Sequence, residues 1–484
     1  MNESSEHIIQ IEEEYLPGYP GRGSGPRVSW EWRRGESWVI LGDNGSGKTH
    51  FSELIEANTD LSVEKVSFEE LEALLEEQIR QDDSEYSGKV DTGIPLYRFL
   101  DLPSPHKLPE EAPPLPMGLD KIMESGLRVL STGETRKALI YKAMLRHPGI
   151  LILDEPFDGL DRASVVQLQE MLNTMIRDGW PLLMILNRKS EILEQHSHVA
   201  VFREFSLIYR GERNEWESFE ADDAARHEKN TMPIPSAPPD APRCESKTLV
   251  EIKQTSVRYG NKTILDRISW EVKKGEHWKI TGPNGAGKST LLNLITGDQP
   301  QAYANDVRLF GVQKGSGESI WDIKKKLGII SPALQLSYRV SLTARMCVIS
   351  GLYDSIGVYN NVPPREKALA DSWLCKIGLN KKGDTPYGRL SYGEQRLLLI
   401  ARGLIKHPPL LILDEPCQGL DDRNREQVLE LLGHFARESE STLLYVTHHE
   451  EDRIDHINRH LRFCPDLHSS SGFTLTADGV PLRG

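Results

Sequence analysis

The sequence predicts an α/β fold in which one module, built on a mostly parallel sheet, occurs twice. In each half a short apolar run, at 37–41 and at 277–281, leads into a glycine-rich loop and then into helix-like sequence. A later apolar run ends in Asp-Glu-Pro in both halves, at 150–156 and 410–416. The first pair lies 240 residues apart and the second pair 260. Aliphatic strands that alternate with helices are typical of a buried parallel sheet, and ordered repeats indicate two homologous modules.

The repeat divides the chain into a first domain at 1–212, a linker at 213–247 and a second domain at 248–484. The linker is acidic from 215 to 228 and rich in proline from 231 to 242. Proline at that density excludes helix and favours an extended, semi-rigid spacer. We therefore expect two folded modules joined by an extended segment.

Composition excludes several classes of protein. Lys and Arg number 58 and Asp and Glu 72, so the net charge is −14, which disfavours a general nucleic-acid or ribosome binder. No stretch approaches the roughly 18 apolar residues that cross a bilayer, and the acidic residues 1–14 lack the apolar core of a secretory signal. Five cysteines without CxxC spacing indicate reduced thiols. We predict a cytoplasmic protein, with any membrane role carried out peripherally at the cytoplasmic face.

The glycine-rich loops at 42–49 and 282–289 both match the pattern GxxxxGK[ST]. Glycines let the backbone curl so that N–H groups point at phosphate oxygens, and the following helix adds its positive end. Lys48 and Lys288 would reach the β- and γ-phosphates of ATP. The predicted ATP-binding residues of the two loops are Gly42, Asn44, Gly45, Ser46, Gly47, Lys48 and Thr49, and Gly282, Asn284, Gly285, Ala286, Gly287, Lys288, Ser289 and Thr290.

Carboxylates end the later apolar runs. Each run ends in an aspartate, Asp154 or Asp414, and a glutamate follows it. These glutamates, Glu155 and Glu415, are suited to polarise an attacking water. A carboxylate at the tip of a buried strand, together with a loop hydroxyl, suits Mg²⁺. The predicted Mg²⁺ ligands are Thr49 and Asp154 in the first half and Ser289 and Asp414 in the second.

Further motifs resemble those of one family. Leu-Ser-x-Gly-Glu, at 130–134 and 390–394, precedes the strand-ending aspartate and resembles the signature motif of ABC ATPases. Gly-Leu-Asp after Asp-Glu-Pro resembles their D-loop, and Thr447-His448 resembles their switch histidine. The resemblance implies two tandem P-loop NTPase modules of ABC type, each with a mixed or parallel sheet and a helical subdomain. It also implies hydrolysis of ATP to ADP and phosphate, with His448 among the catalytic residues.

The family resemblance further implies that the two modules pair head to tail around two ATP molecules. Each ATP would lie between the phosphate loop of one module and the signature of the other. Ser131 and Ser391 would bind γ-phosphate oxygens, and Gly133 and Gly393 would allow close backbone approach. Tyr259 stands where this family often has an aromatic residue that contacts adenine.

The two modules depart from the family pattern at two motifs. At an offset of 260, Asn187-Arg188 corresponds to Thr447-His448, so that Arg188 replaces the switch histidine. Arginine cannot accept a proton, and we therefore expect asymmetric catalysis with the second site stronger. Neither module has a Q-loop glutamine at the usual place, and Gln335 comes three residues late.

Within the family the chain most resembles ModF-type tandem ATPases, which are associated with molybdate transport and in some cases called photorepair proteins. The resemblance rests on Asn187-Arg188, the absent Q-loop glutamines and the segment 338–357, which lies where importer ATPases contact membrane subunits. It implies the energising subunit of an importer whose membrane subunit is a separate polypeptide. The alternative is a soluble ABC ATPase associated with ribosomes, nucleic acid or stress, although the acidic charge and the short proline-rich joint disfavour the first two.

Overall fold

A computed structural model describes residues 7–17, 25–67, 74, 92–109, 112–113, 115, 118–130, 132–216, 218, 232–260, 262–317, 319–331, 334–335, 338, 341–358, 361–466 and 468–482. The chain forms two compact units, Met1–Glu228 and Lys229–Gly484. Each repeats the α/β arrangement that the sequence predicts, and the predicted fold class is confirmed.

The first unit is built on a six-stranded sheet in the order β4-β5-β6-β3-β7-β8, parallel except for β8 at its edge. β1 and β2 form a separate antiparallel pair. The elements are β1 (His7–Tyr15), β2 (Arg27–Arg33), β3 (Trp38–Gly42), α1 (Lys48–Ala57), β4 (Val63–Val66), α2 (Leu96–Phe99), α3 (Thr132–Met144), β5 (Ile150–Asp154), α4 (Arg162–Arg177), β6 (Leu182–Leu186), β7 (His198–Arg203) and β8 (Ser206–Glu212).

The second unit has the same parallel core in a seven-stranded sheet, ordered β14-β15-β16-β11-β17-β18-β19, and an antiparallel sheet ordered β10-β9-β12-β13. Its strands are β9 (Thr248–Tyr259), β10 (Lys262–Lys273), β11 (Trp278–Thr281), β12 (Asp306–Leu309), β13 (Val312–Gln313), β14 (Leu327–Ile330), β15 (Leu410–Asp414), β16 (Thr442–Thr447), β17 (Arg459–Pro465), β18 (Phe473–Ala477) and β19 (Val480–Pro481). Its helices are α5 (Lys288–Thr296), α6 (Ile320–Lys326), α7 (Ala344–Ser350), α8 (Pro364–Lys376), α9 (Tyr392–Leu404) and α10 (Asp422–Glu438).

The central strands are apolar throughout because both of their faces are covered. Along β15, Leu411 and Leu413 pack into a core shared with helices α7 to α10, whereas Leu410 and Ile412 pack into a second core under the antiparallel sheet. Successive side chains of a strand point to opposite faces, so burial on both faces requires an unbroken aliphatic run. This packing holds the carboxyl end of β15, where the acidic pair lies, at a fixed depth in the unit.

Sheet register shows that the two modules differ by one residue after the helix that follows the D-loop. Trp38 pairs with Leu183 in the first sheet, and the equivalent Trp278 pairs with Leu444 in the second. Beyond this helix the offset between the modules is therefore 261 residues rather than 260. Because α4 has 16 residues and α10 has 17, the extra residue falls between the start of that helix and the next strand.

The two described ends of the predicted linker belong to different units: Trp216 is buried in the core of the first unit, whereas residues 232–239 lie against the second. Lys376 Nζ donates to the carbonyl of Met232, and the backbone N–H of Ile234 donates to Glu438 Oε2 at 3.0 Å. His407 Nε2 lies 2.9 Å from the Pro235 carbonyl oxygen. Residues 232–239 have no helix or strand, as predicted for a proline-rich stretch, but they are docked rather than a spacer standing clear of the module.

None of the helices in the described ranges has the length and apolar character needed to span a bilayer.

Candidate nucleotide sites

Both glycine-rich loops adopt the curled backbone that phosphate binding needs. Gly45 and Gly47 have φ of 78° and 103°, and Gly285 and Gly287 have φ of 74° and 100°. Side chains rarely tolerate this left-handed region, so glycine is required at these positions. Gly42 ends β3 and Gly282 directly follows β11. The other predicted loop residues lie on the same two turns or in the first turn of the helices that follow: Asn44, Ser46, Thr49, Asn284, Ala286, Ser289 and Thr290.

The loops end at the first residue of a helix, α1 in the first module and α5 in the second. No side chain caps either helix, and neither has an acidic residue in its first turn. Backbone N–H groups at the start of a helix, with the positive end of the helix dipole, form an anion site. The two loops can therefore receive a polyphosphate.

The loop lysines are buried and turned onto the loops. Lys48 is 7% exposed and Lys288 is 8% exposed. Lys48 Nζ donates to the Asp43 carbonyl at 2.9 Å, and Lys288 Nζ donates to the Gly282 carbonyl at 2.7 Å. A phosphate oxygen would be a stronger, charged acceptor than these neutral carbonyls.

The acidic pairs stand at the ends of β5 and β15. Burial, aided by the neighbouring Glu415 charge, raises the pKa of Asp414 to about 6. Glu155 and Glu415 both have a left-handed backbone, with φ of 51° and 46°. This conformation is uncommon outside glycine and occurs in turns and at active sites. The N–H of Glu155 donates to Ile185 and that of Glu415 to Val446, at 3.0 and 2.9 Å, which fixes both turns to the neighbouring strand.

Two buried arginines support the strained glutamates from the signature helices α3 and α9. Arg136 donates to the Glu155 carbonyl, and Arg396 donates to the Glu415 carbonyl. Arg396 also donates to the Pro416 carbonyl at 2.8 Å. Neither arginine is among the predicted site residues, although the two lie 260 positions apart, in register with the signature motifs.

The donor sets fit Mg²⁺ in both modules. A serine or threonine hydroxyl on the loop and a strand-ending carboxylate are hard oxygen ligands of the kind that Mg²⁺ prefers; Thr49 and Ser289 are exposed at their helix starts. The first site has an extra cation, since Lys65 Nζ lies 3.9 Å from Asp154 Oδ2 and donates to Ser52 Oγ at 2.8 Å. By sheet register the second module has Ile329 in place of Lys65.

The switch position is where the two sites differ most. His448 Nδ1 lies 2.9 Å from Glu415 Oε1, while its Nε2 is buried and has no hydrogen-bond partner among the described residues. By register, Asn187 occupies the corresponding position in the first module, and its Oδ1 accepts a hydrogen bond from Lys48 Nζ at 2.7 Å. The prediction that Arg188 replaces the histidine was wrong, because the one-residue insertion shifts the alignment. Arg188 instead corresponds to His449 and lies 3.8 Å from Glu191.

Without a switch histidine, Glu155 is in a different environment from Glu415. Its Oε1 is buried and has no hydrogen-bond partner in the described part of the chain. Burial raises the pKa of Glu155 well above its usual value; the Glu191 charge adds to this rise and Lys48 opposes it. The carboxylate form of Glu155 is thus less favoured than that of an exposed glutamate.

The signature residues that the structure describes lie at helix starts. Ser391 caps α9: its Oγ accepts from the Glu394 N–H at 3.3 Å, and its own N–H donates to Glu394 Oε2 at 3.1 Å. A Cβ at Gly393 would lie 2.5 Å from Asn424 Nδ2, and one at Gly133 would lie 3.2 Å from Ser164 Oγ. Both glycines therefore permit close packing within their own modules. Ser131 lies outside the described residues.

Of two further predicted residues, Tyr259 lies apart from these contacts and Gln335 contacts one of the supporting arginines. Tyr259 ends β9 and is 54% exposed, with its hydroxyl 2.5 Å from Gln299 Nε2. Gln335 is buried; its Oε1 accepts from Arg396 at 3.2 Å, and its Nε2 has no partner within the described ranges. The proposed roles of Tyr259 in adenine contact and of Gln335 in a late Q-loop stay predictions.

Two phosphate loops, each with a strand-ending acidic pair and a signature helix, define a tandem ATPase of ABC type. The sequence model of the ABC transporter family matches residues 26–158 and 265–418, and the chain belongs to that family. It is similar to the ABC transporter ATP-binding protein ModF of Escherichia coli (strain K12), with 39% identity over 455 residues, 89% of this chain and 92% of the relative. The predicted ModF-like tandem architecture and ATPase activity are confirmed.

Two further similar proteins have lower identity to this chain. An uncharacterized ABC transporter ATP-binding protein of Schizosaccharomyces pombe is 26% identical over 89% of this chain and 93% of its own length. The solved structure titled RNase-L Inhibitor aligns with a TM-score of 0.54 and 18% identity, covering 93% of this chain and 86% of that one. At that identity the likeness concerns the fold alone.

Proposed function

We propose that this protein uses ATP at two unequal sites, holding nucleotide at the first and hydrolysing it mainly at the second, to close and open its two modules. The observation that carries the proposal is the pairing of His448 with Glu415 in the second module, where the first module has Asn187 turned onto Lys48. The two sites have the same kind of phosphate loop and the same pair of carboxylates, and they differ in the residue at the switch position.

At the second site, the residues of this chain act on ATP as follows. Lys288 leaves its carbonyl partners for the phosphates, and the α5 N-terminus faces the same oxygens. Glu415 orients the attacking water through one carboxylate oxygen, while His448 holds the other. His448 Nε2, buried and unpartnered in the described structure, is then available to a γ-phosphate oxygen. When bound by Ser289 and Asp414, Mg²⁺ would neutralise phosphate charge.

At the first site, hydrolysis is slow for two reasons. Asn187 can donate or accept a hydrogen bond but cannot exchange a proton at neutral pH. Glu155 is buried with its pKa raised well above normal by desolvation, so that its carboxylate form is disfavoured. The loop and Lys48 retain the features that bind phosphate. We infer that this site holds ATP, with Thr49 and Asp154 as the Mg²⁺ ligands.

Head-to-tail pairing would complete both sites. Ser391 and Gly393 would meet the nucleotide on Lys48, and Ser131 and Gly133 the nucleotide on Lys288. Support comes from the family and from the position of the described signature residues at helix starts, where N–H groups can face a γ-phosphate. ATP binding would close the two modules and hydrolysis would release them.

Closure can be measured by small-angle X-ray scattering of the Glu155→Gln/Glu415→Gln variant, which should bind ATP without hydrolysing it. We expect a smaller radius of gyration with ATP than with ADP. A variant that also carries Lys48→Ala and Lys288→Ala is the matched control and should show no change. Equal radii with ATP and ADP in the trapped variant would contradict closure.

We propose that closure of the two modules drives import across a membrane. The membrane subunit would be encoded separately, and molybdate is the candidate substrate. Support comes from the relative named as an ABC transporter ATP-binding protein, and from a similar protein named as a zinc uptake system ATP-binding protein in Listeria monocytogenes, 34% identical over 42% of this chain. The protein would then work in the cytoplasm, at the membrane face.

A pull-down with the trapped variant tests this task. An integral membrane protein that co-purifies with ATP but not with ADP, and that stimulates ATPase activity of the wild-type chain, is the expected result. ATP-dependent co-sedimentation with ribosomes, and no membrane partner, would overturn import and favour the non-transport alternative. The acidic net charge of −14 argues against that second outcome.

A further inference from the structure

A buried carboxylate lies behind the switch histidine of the second module. Asp452 is 3% exposed, and its Oδ2 accepts hydrogen bonds from the hydroxyls of Tyr445 at 2.5 Å and Thr447 at 2.9 Å. The Arg425 guanidinium pairs with its Oδ1. One carboxylate thus binds three polar side chains, two from β16 and one from α10.

This cluster, Asp452 with Tyr445, Thr447 and Arg425, holds the turn that carries His448. Thr447 Oγ1 also accepts from the N–H of His449 at 3.0 Å. On the other side of the turn, Lys279 of β11 donates to the carbonyls of Glu450 and Asp452, both at 2.8 Å. His448 therefore lies on a turn fixed to β16, β11 and α10 at once.

The cluster is specific to the module that has the histidine. By register, Tyr445 and Thr447 correspond to Met184 and Leu186 of the first module. Arg425, at the start of the helix after the D-loop, corresponds to Val165. In the first module, whose switch residue is asparagine, three of the four positions of the cluster thus hold apolar residues.

The retained acid makes a different contact in the first module. Glu191 corresponds to Asp452 and pairs with Arg188 of its own turn, at 3.8 Å. This ion pair lies within the turn itself, whereas Asp452 pairs with residues of β16 and α10.

Stability alone gives little reason for the cluster. Removing a carboxylate from water is costly, and replacing a buried ion pair by apolar residues is often neutral or stabilising. The first module shows that apolar residues fit this strand and helix, since Leu186 and Met184 are buried there. Apolar residues such as Met184, Leu186 and Val165 can thus pack between this strand and this helix. The polar cluster of the second module is therefore explained better by the histidine that it holds than by stability.

We propose that Asp452 is a positioning residue for hydrolysis at the second site. It fixes the turn so that His448 Nδ1 faces Glu415 and Nε2 faces the bound phosphate. The α10 helix, which begins at the D-loop, is linked to His448 through the same carboxylate. This inference rests on the proposed role of the second site.

The test compares kcat and KM for ATP hydrolysis in Asp452→Asn and Tyr445→Phe. Asparagine has the same shape but loses the charge, and phenylalanine loses only the hydroxyl. We expect kcat to fall about tenfold in Asp452→Asn and about threefold in Tyr445→Phe, part of the 10²–10⁴ that a general acid–base group contributes, with KM within about twofold. Asp466→Asn, which alters a carboxylate that accepts from Thr474 in another turn, is the control and should match wild type.

A double-mutant cycle with His448→Ala separates positioning from a general structural effect. If Asp452 acts through the histidine, His448→Ala/Asp452→Asn will be no slower than His448→Ala. Losses that multiply, or an unchanged kcat in both Asp452→Asn and Tyr445→Phe, would overturn the proposal. Wild-type activity in His448→Ala would refute the proposed role of the second site. If His448→Ala loses activity as expected but Asp452→Asn keeps the wild-type rate, only the positioning role of Asp452 is refuted.

Discussion

The two acidic turns of this protein are built alike and differ in what faces the glutamate. Glu155 and Glu415 share a left-handed backbone, a strand-ending aspartate and a buried arginine on their carbonyl. Only Glu415 has a histidine at 2.9 Å. The difference teaches that the backbone arrangement that places a catalytic carboxylate can be kept while the group that faces the carboxylate changes.

The surroundings of the switch residue differ in the same direction. In the second module the turn after β16 is tied by Asp452 to the strand and to α10. In the first, Asn187 is held by the loop lysine instead. A site that holds ATP needs its loop and lysine, whereas a site that hydrolyses ATP also needs a well-placed switch residue.

The largest effect should come from removing the switch residue. His448→Ala is expected to lower steady-state ATPase activity about 10²-fold, in the range of general acid–base contributions. Asn187→Ala should change it less than about twofold, since Asn187 exchanges no proton. Comparable losses from the two variants would show that the sites are not divided as we propose.

A gain of function at the first site would sharpen the comparison. In a Glu415→Gln background, where the second site is silent, Asn187→His should raise the residual ATPase rate several-fold by giving Glu155 a partner like that of Glu415. Asn187→Gln, which keeps an amide, is the control. An unchanged rate in both would mean that Glu155 is limited by more than the missing histidine.

The first site should also respond to pH in a predictable direction. Burial raises the pKa of Glu155 well above its usual value, so its proton is retained at low pH and lost as pH rises through that raised value. The residual rate of Glu415→Gln should therefore increase with pH, because only the carboxylate can take a proton from the attacking water. A rate that is flat or falls between neutral and alkaline pH would contradict this.

At the second site the pH effect concerns nucleotide binding. The pKa of Asp414 is raised to about 6 by burial, so below about that pH it is protonated and a poor Mg²⁺ ligand. Affinity for Mg²⁺-ATP, measured with a fluorescent analogue in Lys48→Ala, should weaken as pH falls below about 6. The same measurement without Mg²⁺ is the control and should show a smaller change.

The smallest effect should come from the extra lysine of the first site. Lys65 lies beside Asp154, where its charge opposes a bound cation. Lys65→Ile, which copies Ile329, should lower by about two- to threefold the Mg²⁺ concentration needed to retain a fluorescent ATP analogue in Lys288→Ala, a modest effect because such partly exposed pairs are screened. Ile329→Val in Lys48→Ala is the control, and a reversed or absent shift for Lys65→Ile would contradict this.

Much of the fold and of the loops could be predicted because their signals are local. Glycines at positive φ, a lysine at the loop end and a carboxylate after an aliphatic run each occupy fixed places in a short segment, and each occurs twice. The resemblance to the ABC family predicts the rest of the fold, including the helices that follow the signature motifs.

The features that could not be predicted from the sequence depend on strand register and on burial. One extra residue before β16 moves the switch position from Arg188 to Asn187, and nothing in the local sequence marks where that residue enters. The contacts of Asp452 with Tyr445 and Arg425 join residues of a turn, a strand and a helix, which only the packed structure brings together. The docking of Ile234 against the second unit is likewise a tertiary contact.

The most direct test of the account is the steady-state ATPase rate of Glu415→Gln and Glu155→Gln, measured side by side. Each change removes one carboxylate charge and keeps the shape of the side chain, and both residues share the same strained backbone. We expect Glu415→Gln to abolish nearly all activity and Glu155→Gln to retain most of it. Equal losses, or a larger loss from Glu155→Gln, would contradict the division of labour between the two sites.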